Sequence, residues 1–170
     1  QYLEIGDAAA WNRDMAKEVY GQKGYNVRIT GDLDFTNTDG TPMAVNTGAI
    51  VNRLVAQAST DSNGAVKYPA ICGITLTGAT ESFVSAAFGK VENLNLADIS
   101  ITTDTKEKPN AGVFGTVSAD VENLDIQNVT LVQYKTQYNG IIGSIDGKIS
   151  DVTMDGVTVI SNDDKSKGAG

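Results

Sequence analysis

The feature that most constrains the fold is a repeat in the second half of the chain. Residues 91–101, 121–131 and 149–159 can be superimposed, with offsets of 121 − 91 = 30 and 149 − 121 = 28 residues. In each copy the first, fourth, sixth, ninth and eleventh residues are apolar, and the third is Asn or Asp. A period of roughly 20 to 50 residues is typical of a solenoid, in which one repeat cannot bury its apolar face alone.

Within each repeat the residue pattern predicts short strands. Residues 124–126 and 129–131 alternate apolar and polar, as half-buried strands do, and the turn formers Gln127 and Asn128 lie between them. A glycine-ended apolar piece precedes each copy and supplies a third strand (residues 87–89, 112–115 and 140–143). Thr, Val, Ile, Asn and Gly dominate, which disfavours a helical repeat. The sequence therefore predicts an all-β fold, a parallel β-helix with turns about 4.8 Å apart.

Stacked repeats would align equivalent residues along the axis. We expect two apolar columns, Leu94, Leu124 and Val152 in one, and Ile99, Val129 and Val157 in the other. The third position of the repeat holds Asn93, Asn123 and Asp151. Asn tolerates the left-handed backbone, and its amide can pair with the same side chain one turn away. We interpret these three residues as a structural ladder; the alternative is a row of metal ligands.

Residues 6–21 are predicted to form a helix. Asp7 can cap its start, and Gly21 lies where a helix would end. One apolar stripe, at spacings of three and four, consists of Ala8, Trp11, Met15 and Val19. Because the terminal units of a solenoid need a cap, we interpret this helix as lying over the open amino-terminal end. The alternative makes Trp11 a platform for a ligand.

Residues 25–85 are predicted to form first, irregular coils. Residues 25–35 alternate, with Val27, Ile29, Leu33 and Phe35 on the inward side. Residues 36–47 are predicted to be a loop, 60–64 a turn and 70–76 a strand, whereas 49–58 fit either a strand or a short helix. Residues 86–170 carry the three regular repeats, and we expect a single domain over residues 1–170. Residues 168–170 resemble the start of another glycine-ended piece, so we expect either further coils in a longer repeat protein or a missing cap.

Composition restricts the partners. The net charge is −8 and the pI is about 4.4, which argues against nucleic acid and against anionic membranes. The hydrophobic content is 41% and the aromatic content 6%, which suits a thin stacked core. No apolar run approaches the roughly 20 residues of a membrane helix. Cys72 is the one cysteine, so no intramolecular disulfide forms, and we interpret it as a buried apolar filler rather than a reactive thiol.

The sequence offers few groups for catalysis. It contains no histidine, which excludes Ser-His-Asp and Cys-His nucleophiles and argues against a zinc enzyme. Asp32 and Asp34 flank the inward Leu33 and therefore share the outer side, where a carboxylate pair could serve a glycosidase or bind calcium. Ordinary strand polarity is the simpler interpretation, and we expect no cofactor. A lyase would need a Lys or Arg base near its groove. The arginines are Arg13, Arg28 and Arg53, and no Asp cluster recurs across coils in register with one of them.

Two charged loops leave the coil at equivalent places, residues 102–110 and 161–167. Insertions on one side of a solenoid often form its binding face. The candidate binding residues are Thr102, Asp104, Lys106, Lys108, Asp163, Asp164 and Lys165. Ordinary solvated loops are the alternative.

The repeats resemble the GLUG-type repeats of bacterial secreted and surface proteins. The resemblance is carried by Gly112-Val-Phe-Gly115 followed by residues 121–126, and by Gly140-Ile-Ile-Gly143 followed by residues 149–154. The helix with Trp11 and residues 27–35 also look like the lead-in common before such repeats. The expected Phe-Asp-Gly-x-Gly-His-Thr-Ile segment is not present in the middle of the chain. The resemblance implies a right-handed β-helix from an extracellular, adhesin-like bacterial protein, frequently from gut Bacteroidetes.

These observations predict a non-catalytic adhesion or scaffold module, secreted or at the cell surface. Its expected partner is a surface glycan or a host or bacterial protein. A carbohydrate-active enzyme or glycan-binding domain is the first alternative, because parallel β-helices host both. A structural subunit that self-associates end to end is the second, because uncapped coil ends pair readily.

Overall fold

The computed structural model of the chain describes residues 1–105, 112–134 and 138–162. These residues form a nearly all-β solenoid of about 5 turns, built from parallel strands, with one short helix near the amino terminus. The elements in chain order are β1 (Leu3–Ile5), α1 (Ala8–Asp14), β2 (Tyr25–Ile29), β3 (Leu33–Asp34), β4 (Ala49–Ala56), β5 (Ser59–Thr60), β6 (Val66–Lys67), β7 (Ala70–Ala79), β8 (Val84–Ala87), β9 (Val91–Thr103), β10 (Phe114–Val117), β11 (Val121–Gln133), β12 (Ile142–Ile145) and β13 (Ile149–Ser161). The predicted fold class is confirmed.

The three repeats stack in the predicted register. β11 lies between β9 and β13, and Val121 pairs with Val91 on one side and Ile149 on the other. Both apolar columns are present, because Leu124 pairs with Leu94 and Val152, and Val129 pairs with Ile99 and Val157. A second parallel stack runs through β8, β10 and β12.

The bends within a repeat differ from the prediction. The two short strands expected on either side of the turn formers are one continuous strand of 13 residues in β9, β11 and β13. Two residues of each strand take the left-handed conformation: Asn93, Asn123 and Asp151 at the third position (φ 61°, 57° and 55°), and Asp98, Asn128 and Gly156 at the eighth (φ 54°, 52° and 69°). A single left-handed residue turns the chain without breaking the hydrogen-bonded ladder, so no separate turn is needed. The third strand begins inside the glycine-ended piece and runs past it in β10 and β12. In the first repeat the prediction of residues 87–89 as the equivalent piece is wrong, because β8 already ends at Ala87 and Val84 pairs with Phe114. The register with the neighbouring strand makes residues 82–85 the equivalent of residues 112–115.

The first coils follow the predicted path. Val27, Ile29, Leu33 and Phe35 are all fully buried. Residues 49–58, which fit either a strand or a helix, contain the strand β4, which pairs with β2 on one side and with β8 and β9 on the other. The apolar run alone could not decide this, because the choice comes from the strands above and below it. The predicted turn at 60–64 joins the small hairpin of β5 and β6.

The helix is shorter than predicted. Asp7 caps it, since the Ala10 backbone N–H donates to Asp7 Oδ1 at 2.8 Å, but α1 ends at Asp14 instead of continuing to residue 20. After Met15 the chain folds back on itself so closely that a Cβ on Gly21 would lie 2.0 Å from the Met15 carbonyl oxygen. The Gly21 carbonyl then accepts from the Ile50 N–H, so the chain has to leave the helix early to reach the coil stack.

The predicted apolar stripe of the helix is buried over most of its length. Ala8, Trp11 and Met15 are buried, whereas Val19 lies beyond the helix and is half-buried. The Trp11 ring stacks on Phe83 with centroids 4.5 Å apart, and Phe83 meets Phe35 edge to face at 5.7 Å. The helix thus closes an aromatic cluster inside the first coils. No helix among the described residues is long and apolar enough to cross a membrane.

Candidate functional site

The loops after β9, β11 and β13 leave the solenoid at one corner, which we call the loop corner. Gln133 pairs with Ser161, and Val132 pairs with Thr102, so the strands end one above the other. The next residues continue the parallel pairing outward, because the Asn162 N–H donates to the Gln133 carbonyl at 2.9 Å. The two charged loops leave the coil at equivalent places, but they begin at residues 104 and 162 rather than at 102 and 161, because the parallel pairing continues to the ends of β9 and β13 at Thr103 and Ser161.

The whole difference between the two repeat offsets lies at the loop corner. From the end of β9 to the start of β10 the chain advances 114 − 103 = 11 residues, and from the end of β11 to the start of β12 it advances 142 − 133 = 9. The link between the shorter strand and the next long strand advances 121 − 117 = 4 residues in one repeat and 149 − 145 = 4 in the other. Between these two repeats the extra length therefore leaves the stack at this corner, whereas in the first coils the β5–β6 hairpin leaves it between β4 and β7.

Buried polar side chains hold the roots of these loops. Three of the four buried polar residues in the described part lie here: Thr103, Gln133 and Asn139. Thr103 Oγ1 accepts from the Tyr134 N–H at 2.8 Å, and Gln133 Oε1 accepts from the Gly140 N–H at 2.6 Å. Because an unpaired buried N–H costs about 1–3 kcal/mol, these bonds fix the backbone where the chain leaves and re-enters the core.

Sequence reasoning missed these anchors, although a signal for them exists. In each of the three long strands the inward-facing residues are apolar up to the eleventh position. The thirteenth position also faces inward but is polar in all three strands: Thr103, Gln133 and Ser161. A polar residue at an inward position where a coil ends predicts a hydrogen bond to loop backbone. Asn139, which donates from Nδ2 to Ser161 Oγ at 3.4 Å, has no such periodic signature.

The structure brings two of the predicted binding residues to the loop corner. Thr102 is half-buried in β9 between Thr77 and Val132, and Asp104 is the half-buried first residue after the strand. The other predicted binding residues lie outside the described residues: Lys106, Lys108, Asp163, Asp164 and Lys165. Their contribution to a site stays a prediction.

The three residues interpreted as a structural ladder share one backbone conformation, and one side-chain bond joins two of them. Asn93, Asn123 and Asp151 all adopt the left-handed conformation, and Asn123 Nδ2 donates to Asn93 Oδ1 at 2.9 Å. A second ladder, not predicted as such, runs through the eighth position, where Asn128 Nδ2 donates to Asp98 Oδ1 at 2.7 Å. Among the described residues there is no group of three or more His, Cys, Asp or Glu side chains that could hold a metal ion.

The carboxylates on the outer side are tied to the backbone. Asp32 Oδ1 accepts from the Ala70 N–H at 2.8 Å, and Asp34 Oδ1 accepts from the Thr36 N–H at 3.1 Å. Both side chains thus organise connections between strands, which supports the interpretation as strand polarity. The arginines also have carboxylate partners: Arg13 pairs with Asp14, Arg28 with Glu4 and Arg53 with Glu92.

Cys72 is half-buried rather than buried, which corrects the prediction. Its neighbour Ile71 takes the inward position in β7, so Cys72 faces outward between Asp34 and Ala97 of the adjacent strands. Burial, followed by the negative charges of Asp34 and Asp32, raises the pKa of the Cys72 thiol to about 11. The thiol is therefore protonated at neutral pH and is a poor nucleophile.

The carboxyl-terminal end of the described stack exposes apolar side chains. β13 pairs with β11 along one edge, and Ile149 and Met154 are 56% and 57% exposed. An apolar cavity of about 130 Å³ opens there, lined by Val121, Leu124, Ile126, Ile141, Ile142, Ile145, Ile149, Val152 and Met154. This surface consists of the inward-facing side chains of the last coils.

Comparisons with protein-family models, with curated proteins and with solved structures find no match to this chain.

Proposed function

We propose that this chain is a non-catalytic adhesion or scaffold module of a secreted or cell-surface bacterial protein, and that it binds its partner through the loop corner. The observation that carries the proposal is the stacking of successive loop exits at one corner, over buried anchors such as Thr103 and Gln133. Loops on a rigid scaffold commonly carry binding function. The resemblance to GLUG-type repeats supports the extracellular location and the adhesin-like role.

The composition of the loops supports a polar partner. The first loop contains Asp104, Lys106 and Lys108, and the third contains Asp163 and Lys165, so both signs of charge occur in each. Such surfaces suit a glycan or a hydrophilic protein surface better than an apolar ligand. A carbohydrate-active enzyme remains the alternative for the same partner class. Each arginine in the described residues already pairs with a carboxylate, which argues against an arginine as the base.

Replacing residues 105–111 with a Gly-Ser segment of equal length tests this proposal. Partners are first identified by incubating the parent chain with a glycan array and with a panel of purified extracellular matrix proteins. We expect the loop variant to lose these partners while its circular dichroism and unfolding midpoint stay unchanged. The matched control replaces the turn at residues 62–64, which joins β5 and β6 away from the corner. Binding that survives the loop replacement, or cleavage of polysaccharides by the parent chain, would contradict the proposal.

The exposed carboxyl-terminal end favours a second candidate function, extension of the solenoid. We propose that the occupant of this end is a further coil of the same repeat pattern, paired in parallel with β13. Two observations support it. Asp151 carries acceptors that an Asn in the next coil could use, as Asn128 uses Asp98, and Gly168 follows Gly140 by the same 28 residues by which Gly140 follows Gly112.

Adding one coil to the carboxyl terminus tests the second function. Extending the chain with a second copy of residues 134–161 should quench binding of a hydrophobic dye and protect the β13 amides from hydrogen exchange. The control extension carries Glu in place of the apolar residues equivalent to Val152 and Val157, and it should do neither. Light scattering distinguishes a further coil from a second copy of the chain as the occupant of this end. If the parent chain is a dimer and Met154→Glu dissociates it, a second copy covers this end.

A further inference from the structure

The amino-terminal end of the solenoid carries a cleft lined by aromatic rings. Tyr2, Tyr20 and Tyr25, together with Gln1 and Leu3, line a space of about 400 Å³. The chain has 6 tyrosines and only 6% aromatic residues, so half of the tyrosines meet at this one place. The volume lies within the roughly 300–1,000 Å³ of small-molecule sites.

Secondary structure and core contacts hold the rings in place. Tyr2 directly precedes β1, Tyr25 is the first residue of β2, and Tyr20 packs against the hydrophobic core. Tyr20 and Tyr25 meet edge to face, with centroids 5.1 Å apart and planes at 73°. Two rings at this angle form a corner, and Tyr25, 41% exposed, offers its surface to solvent. The cleft is therefore preorganised rather than a chance contact of loose side chains.

The cations around the cleft indicate which ligands it can take. The Arg28 guanidinium carbon lies 4.3 Å from the centre of the Tyr2 ring, and Lys23 Nζ lies 5.8 Å from the centre of the Tyr20 ring. One face of Tyr2 and one face of Tyr20 are each already in contact with a cation of this chain, so the cleft is not a vacant aromatic cage for a quaternary ammonium group. A nucleobase attached to phosphates is disfavoured by the net charge of −8.

Among the remaining ligand classes, a sugar ring fits the exposed aromatic surface and the polar residues of the cleft. A pyranose has an apolar face of C–H groups, which packs on an exposed aromatic ring, and an equator of hydroxyls, which needs donors and acceptors. Three tyrosines and Gln1, which carry hydroxyl and amide groups, are among the residues that line the cleft, and the ion pair of Arg28 with Glu4 lies beside Tyr2. We propose that this cleft binds a neutral saccharide, with the Tyr25 ring as the stacking platform. This site is separate from the loop corner and does not depend on the function proposed there.

The full chain, titrated with neutral trisaccharides, tests this proposal. The probes are maltotriose, cellotriose, xylotriose, mannotriose and chitotriose, followed by saturation-transfer NMR and calorimetry. We expect at least one to bind, and Tyr25→Ala to weaken that binding about tenfold. Tyr25→Phe should bind nearly as well as the parent if stacking dominates. Tyr25→Leu, which retains apolar bulk without a ring, keeps the test valid if Tyr25→Ala is poorly folded.

The matched control is Tyr68→Ala, because Tyr68 is half-buried and lines a different cleft, beside Asp32 and Lys67. It should bind the saccharide like the parent chain. The proposal is overturned if none of the probes binds at millimolar concentration, if Tyr25→Ala and Tyr25→Leu bind like the parent, or if tetramethylammonium binds more tightly than every sugar. Loss of partners from the loop variant leaves this result unchanged, so the two proposals fail separately.

Discussion

The two ends of the solenoid are built differently. At the amino-terminal end the edge strand, β1, has 3 residues, and α1 buries Trp11 and Met15 completely against the first coils. At the carboxyl-terminal end the edge strand, β13, has 13 residues and leaves Met154 57% exposed. Short or covered edges are the usual protection against unwanted pairing. The comparison teaches that, among the described residues, the inward-facing apolar side chains of the first coils are covered, whereas Ile149 and Met154 of the last strand are exposed.

The largest difference in the free energy of unfolding should appear when one large apolar side chain at each end is truncated to alanine. Trp11→Ala removes a fully buried ring that stacks on Phe83 and should lower the free energy of unfolding by about 3–5 kcal/mol. Met154→Ala removes an exposed side chain and should cost less than about 0.5 kcal/mol. Urea unfolding followed by circular dichroism measures both. Equal losses would mean that the carboxyl-terminal end is as well covered as the other.

A smaller difference is expected within one apolar column. Val129 is fully buried between β9 and β13, whereas Val157, its partner in β13, is half-buried at the edge. Val129→Ala should cost about 2 kcal/mol and Val157→Ala less than about 1 kcal/mol, because the second position loses little buried area. If the carboxyl-terminal coil extension described above raises the cost of Val157→Ala to that of Val129→Ala, the added coil occupies the predicted place.

The second ladder should distinguish interior coils from the edge by a still smaller amount. Asn128→Ala removes the bond to Asp98 and puts at φ 52° a residue that tolerates the left-handed conformation less well than Asn, which should cost about 1–2 kcal/mol. Gly156→Ala, at φ 69° in the edge strand, incurs the backbone cost alone, about 1 kcal/mol. Asn128→Gly separates the two contributions, since it relieves the backbone strain and loses only the hydrogen bond. Thermal unfolding of the three variants provides the measurement.

The smallest effect concerns an ion pair at the end of α1. The hydrogen bond from Arg13, and then its charge, holds the pKa of Asp14 below its usual value of 3.8. A carboxylate with a lowered folded pKa stabilises the fold above its unfolded pKa, and this stability is lost as the pH falls through the folded pKa. Asp14→Asn should therefore cost less than about 1 kcal/mol at pH 7, and this cost should shrink as the pH falls through the lowered folded pKa of Asp14. Asp155→Asn in β13 is the control, and a pH-independent difference would contradict the assignment.

The sequence predicts the regular part of the molecule well, because the repeat itself encodes the register. Once Val91, Val121 and Ile149 are aligned, the partners of all remaining residues in the long strands follow. Features set by contacts between distant segments could not be predicted in the same way. The length of α1 depends on Gly21 folding back against Met15, and the conformation of residues 49–58 depends on the neighbouring strands. The tyrosine cleft combines residues from three separate local segments, none of which has a recognisable motif.

The loop corner was predicted only in part. The charged loops and the positions where they leave the coil could be found from composition and repeat alignment. Gln133 could also have been found, from its inward position in the repeat. The buried Asn139 could not, because a polar residue beside a loop looks like surface until the chain on either side of it is known to be in the core. Cys72 shows the opposite error: a lone cysteine in an apolar run was expected to be buried, yet the pleat turns it outward.

The two offsets, 30 and 28, have a practical consequence, since the strands stay in register while the loop corner absorbs the difference. A foreign peptide could therefore be inserted at the loop corner without shifting the pairing of the strands, and both of its ends would be held by the same strand ends. The same property makes this corner the place where related sequences could diverge in length and specificity while keeping one backbone. A chain of this design can change the length of its loops at this corner without changing its strand pairing.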